Sequence, residues 1–97
     1  MLLPPVEVHR EGADCTITLE AFEEDGRLVC GIFQLDGRID LPPRKWLTAV
    51  REEVDKLEKI ARAAGAHEMR IAGRDWSRVL RDYGPCEGVK NGLRKVL

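Results

Sequence analysis

Hydrophobic positions along the chain change period twice, and those changes mark its elements. Over residues 43–65, Trp46, Leu47, Val50, Val54, Leu57, Ile60, Ala61 and Ala64 recur at steps of three and four. That spacing predicts one long amphipathic helix. Pro43 suits its first position, because the N–H that proline lacks would have had no partner there. Gly65 suits its C-terminal cap. Glu52–Lys56, Asp55–Lys59 and Glu58–Arg62 stand four apart, acid first, the helpful order on an exposed face. Leu47 and Leu57 are read as core, and Glu53 as exposed.

Upstream the period is two. Val6 and Val8 begin a short strand after Pro4 and Pro5, with a turn at Glu11–Gly12. Over residues 14–22, Cys15, Ile17, Leu19 and Ala21 alternate with Thr16, Thr18 and Glu20, the pattern of a half-buried strand. Asp25–Gly26 belongs to a hairpin loop. Residues 27–35 return as a nearly continuous apolar strand, suited to a sheet interior, which Asp36–Gly37 ends. After the helix, residues 67–72 read as a short strand parallel to 27–35, since a helical crossover precedes it. Residues 73–83 read as a second helix that buries Trp76, Val79, Leu80 and Tyr83, stopped by Gly84–Pro85. In the last ten residues Val89, Leu93, Val96 and Leu97 fit a helical step while alternation also fits a strand, and a strand is the preferred reading. The fold class is therefore α+β, one domain over residues 1–97, with a mixed sheet in the order β-β-β-α-β-α-β and the long helix packed on one face.

Composition narrows the classes. With 97 residues, 43% hydrophobic and 34% charged, the chain reads as an ordinary globular domain. No apolar run approaches the roughly 18 residues of a membrane span, and the N-terminus has neither the basic leader nor the apolar core of a secretory signal. Cys15, Cys30 and Cys86 stand in no ligand-like spacing, so no metal site is assigned and reduced thiols in a cytoplasm are expected. The net charge of −1 is uneven. Residues 1–41 carry nine acids and three bases, whereas residues 66–97 carry four acids and seven bases. Arg74, Arg78 and Arg81 fall at i, i+4 and i+7, one stripe of the second helix, and are the candidate contact for a partner. His9 and His67 are read as surface histidines and Cys86 as a thiol without a local catalytic motif, while Glu7, Glu20 and His9 are general-base candidates that no spacing marks out. Trp46 and Trp76 are read as packing residues.

From residue 54 to 84 the chain carries Ala64-Gly65, Met69-Arg70-Ile71, Gly73-Arg74, Trp76 and Tyr83-Gly84. With the element order, this resembles the Gcn5-related N-acetyltransferase (GNAT) fold, and more narrowly the small GNAT-like proteins of tailed phages and prophages. The resemblance implies a site where a strand splays from its neighbour, with acetyl-CoA pyrophosphate on backbone N–H groups before the central helix. Residues 36–43 depart from that loop. They hold one glycine and two acids, and Pro42 and Pro43 have no N–H to give. Arg38, Arg44 and Lys45 are the nearby positive charges. Leu80 stands where such enzymes keep a tyrosine acid, and Tyr83 is read as packed, with its hydroxyl at the surface. The expectation is thus a non-enzymatic binding or virion-associated module, with no catalytic, cofactor-binding or metal residues assigned. A protein partner, phage or host, is expected, and no membrane. The alternatives are a minimal acetyl-CoA-dependent N-acetyltransferase and a nucleic-acid-binding or anti-defence protein. The location is cytoplasmic or virion-associated; the oligomeric state is left open.

Overall fold

The computed structural model describes residues 1–73 and 75–97. Strands β1 (Val6–Arg10), β2 (Ala13–Glu24) and β3 (Arg27–Ile39) are followed by helix α1 (Pro43–Ala63). Strands β4 (Glu68–Ile71), β5 (Gly84–Pro85) and β6 (Leu93–Val96) complete the fold. They form one mixed six-stranded sheet in the order β1-β2-β3-β4-β6-β5. The β2–β3 pair is antiparallel and the β3–β4 pair parallel, as the period-two pattern and the helical crossover predict.

Local chemistry accounts for the well-formed elements. Asp25 (φ 53°) and Gly26 (φ 77°) both take positive φ, the requirement of a two-residue hairpin turn that follows the strand twist. At the C-terminus of α1, Ala66 N–H donates to Ala61 O and Gly65 N–H to Arg62 O, the paired bonds of a Schellman cap. Gly65 carries the left-handed φ of 89° that this cap demands. Cys15, Ile17, Leu19 and Ala21 of β2 are buried, as are Val50, Val54, Leu57 and Ala61 of the helical stripe. Those of them that share one cluster with Cys30, Met69, Ile71 and Leu93 form the principal core.

Several expectations are corrected. Residues 75–83 form turns, and α1 is the one helix among the described residues. Asp75 Oδ1 accepts both the backbone N–H of Ser77, at 3.0 Å, and its hydroxyl, at 2.6 Å. A side chain that satisfies the backbone this way competes with the helix ladder. Leu80 and Tyr83 are buried as expected and Trp76 and Val79 partly so, but loop packing and not a helical face buries them. Strand β3 does not end at Asp36–Gly37. It runs on to Ile39, with Gly37 opposite Cys15. Leu47 is only half-buried, and Glu53 is not exposed: its side chain is 12% accessible and contacts Arg10 and Lys56. Lys56 thus pairs with Glu53 at 3.1 Å, and Glu52 turns to Arg10.

Within the last ten residues a strand forms only over Leu93–Val96, after a turn segment, and binds β4 antiparallel. Its arrival builds a charged lattice. Glu68, 4% exposed, accepts from both Arg70 and Arg94, and Arg70 also grips Glu24 bidentately at 2.6 and 2.7 Å. Burial opposes the charge on Glu68, yet the hydrogen bonds from two guanidiniums outweigh it and hold the carboxyl below its ordinary value. Lys95 holds Asp82 below its ordinary value in the same way. Carboxyls depressed by folding stabilise the fold above their unfolded pKa, and that stability is lost as pH falls through the folded values. The melting temperature should therefore change little between pH 7 and 5 and drop steeply below about pH 4. The Glu68→Gln protein should melt lower at pH 7 and show a shallower acid limb. Parallel acid limbs for the two proteins would remove Glu68 from this account.

Candidate functional site

The two outer edges of the sheet are guarded. β1 follows Pro4 and Pro5 and exposes Glu7 and His9, and β5 is two residues long and ends in Pro85. Proline, charge and short length all discourage a further strand. β3 differs. It is 13 residues long, but β4 pairs only with Val29, Cys30 and Gly31. Among the described residues no strand pairs with β3 on that side from Ile32 to Ile39.

A bulge determines what this free edge presents. Thr18 faces Gln34 and Leu19 faces Ile32, so Phe33 is an extra residue and the alternation of β3 reverses there. Before it, Leu28 directs its carbonyl toward β4, where His67 N–H donates to it at 2.7 Å. After it, Asp40 N–H donates to Gly12 on the β2 side, and strand alternation sets 38, 36 and 34 the same way. Leu35, Gly37 and Ile39 are left with N–H and C=O directed at the open side. Leu35 is 50% exposed and Phe33 56%.

Beside this edge lies an apolar cleft of about 70 Å³, lined by Ile32, Leu35, Ile39, Val54, Trp76 and Leu80 among others. Trp76 stacks on Trp46, with ring centroids 6.0 Å apart. The polar groups at the cleft are restrained. Glu53 is held by Arg10 and Lys56, and burial first, then Glu53 itself, pushes the Cys15 thiol upward, away from a nucleophilic thiolate.

The candidates from sequence fare unevenly. Arg74 lies outside the described residues. Arg78 and Arg81 are exposed on a turn segment, so no helical arginine stripe links them. Arg81 shares a shallow hollow with Asp55, Glu58 and Asp82, so acids interleave with it. His9 hydrogen-bonds Asp14 at 2.7 Å, and His67 lies 3.0 Å from Arg27. Cys86 is partly buried. Tyr83 is corrected: its hydroxyl is not at the surface but donates to the buried Glu58 at 2.7 Å. Burial, then Glu58, pushes that phenol well above its ordinary value. Lys95 completes the group, bridging Glu58 at 3.0 Å and Asp82 at 2.7 Å. Helix periodicity shows Glu58 only as a partner for Arg62, since Tyr83 and Lys95 reach it from 25 and 37 residues away.

At the start of α1, Arg10, Arg44 and Lys45 share a hollow with Glu11 and Asp40. Pro42 provides no side-chain cap. Among the described residues, no three His, Cys, Asp or Glu side chains gather so as to hold a metal ion, and no helix is long and apolar enough to cross a membrane. No family model, curated protein or solved structure matches the chain.

Proposed function

We propose that this chain is a non-enzymatic protein-binding module on a GNAT-like scaffold, with α1 laid across one face of the sheet, and that it receives an extended segment of its partner along β3. The phage or virion association comes from the sequence resemblance and sets where such a partner would be sought. One observation carries the reading: the long, unguarded edge of β3 with an apolar cleft beside it. Backbone groups on such an edge supply affinity, and a pocket for alternate side chains supplies selectivity. The cleft favours holding over chemistry, because the acid and thiol at its wall are respectively ion-paired and raised in pKa.

Selection from a displayed library of random peptides tests it. The natural protein should enrich extended sequences with an apolar anchor, and the Leu35→Lys protein should not. Enrichment of nothing by protein dilute enough to be monomeric, or equal enrichment by both proteins, would overturn the reading.

A second reading, the acetyl-CoA-dependent acetyltransferase, draws on the parallel pairing of β3 with β4, which ends at Gly31, and on Arg44 and Lys45 at the helix start. Titration with acetyl-CoA separates the two. A ligand at 100 times its dissociation constant stabilises the fold by about 2.7 kcal/mol. No thermal shift is expected at millimolar acetyl-CoA. A dissociation constant below about 10 μM, near −7 kcal/mol, that is lost on Arg44→Ala/Lys45→Ala would replace the first reading by the second.

A further inference from the structure

We propose that the segment this edge takes up is the same edge of a second copy, forming a two-fold dimer through antiparallel β3–β3 pairing centred on Gly37. The inference rests on β3 being the docking edge and goes further by naming its occupant.

The edge is self-complementary. In an antiparallel pair with Gly37 on the two-fold axis, Asp36 of each copy stands opposite Arg38 of the other, and Leu35 opposite Ile39. Asp36 and Arg38 share one face of β3, opposite Thr16 and Asp14 of β2. Both are exposed. Leu35 and Ile39 share the other face and line the apolar cleft. One register therefore forms two opposite-charge pairs on one face and two aliphatic pairs on the other, with no like charges directly opposed. Cross-strand pairs of both kinds stabilise sheets, and like charges in those places destabilise them. Leu35, Gly37 and Ile39 are also the residues whose N–H and C=O groups point outward, so the same register joins them as hydrogen-bonded pairs. A two-fold contact must match itself, and this edge does. β5 offers no such match, being two residues long and ending in Pro85.

Charge reversal tests both the partner and the register. By light scattering coupled to size exclusion, the natural protein should run at about twice the 11.0 kDa of one chain. Asp36→Arg alone and Arg38→Asp alone should each weaken the dimer at least about tenfold, since each turns two attractive pairs into repulsive ones. The double variant Asp36→Arg/Arg38→Asp should restore it, which loss of a merely structural contact would not do. Far-UV circular dichroism and melting of each single variant establish that it folds; if either does not, Leu35→Lys replaces it as the disrupting change. A natural protein that stays monomeric at every concentration, single variants that remain dimeric, or a double variant without rescue would each overturn the inference. A monomer that still enriches peptides in the display selection refutes the dimer and leaves the docking edge standing. A monomer that enriches none refutes both.

Discussion

Leu57→Ala is expected to destabilise the protein by about 2–5 kcal/mol, the range for a leucine truncated in a packed interior. Leu57 is 1% exposed and belongs to the buried cluster with Leu19, Cys30 and Met69. It also lines the apolar cleft, which already leaves about 70 Å³ unfilled next to it. Neighbours bordering an existing gap have less means of closing another, so the upper half of that range is expected. For a domain of this length it corresponds to a fall in melting temperature of roughly 10 °C or more. Leu47→Ala, on the same helix but half-buried, should cost clearly less. Equal losses for the two variants in urea titrations would mean that the phase of α1 is wrong.

Gly37→Val should cost about 3 kcal/mol or more, from strain at a left-handed position plus a steric clash. Gly37 has φ 118°, and a Cβ there would lie 2.2 Å from the carbonyl oxygen of Asp14 and 2.6 Å from Cα of Cys15. Both are backbone atoms in a paired strand, so β2 and β3 would have to separate for the side chain to fit. Gly26 provides the contrast. Its φ of 77° is also left-handed, but nothing lies within 4 Å of a Cβ added there. Gly26→Ala should therefore cost only the local strain, about 1 kcal/mol. A Gly37→Val protein within 1 kcal/mol of the natural one would show that β3 does not continue through this residue.

These two sites also mark how far the sequence could be read. The helical stripe through Val50, Val54 and Leu57 and the alternation of Cys15, Ile17 and Leu19 are local periodicities, so both elements and their buried faces were legible. The parallel placement of β4 followed from the helical crossover before it. Gly37 was not legible as a strand residue, because the glycine that elsewhere ends a strand here permits close packing against β2. The turns over residues 75–83 were hidden behind a helical spacing of Trp76, Val79, Leu80 and Tyr83. Asp75 and Ser77 held the opposing signal, a side chain able to capture a backbone N–H two residues on. Glu58 and Glu68 looked like surface acids, because their partners Tyr83, Lys95 and Arg94 come from distant parts of the chain. The open edge of β3 was hidden for a related reason. It exists because β4 stops at Ile71, and because a bulge at Phe33 turns Leu35 and Ile39 toward the cleft. Arg78 and Arg81 stand on the turns over residues 75–83, without the helix that would have aligned them.

The most direct test of the docking edge is hydrogen exchange at single backbone amides of β3, in dilute protein and again with a saturating peptide recovered from the display selection. In protein diluted until it is monomeric the amides of Leu35 and Gly37 should exchange rapidly, while Met69, inside the sheet, stays protected. With peptide bound, Leu35 and Gly37 should slow at least tenfold, as donors in a new strand pair. Protection of both amides in the monomer, or rapid exchange that a saturating peptide leaves unchanged, would contradict β3 as the surface on which this protein takes hold of its partner.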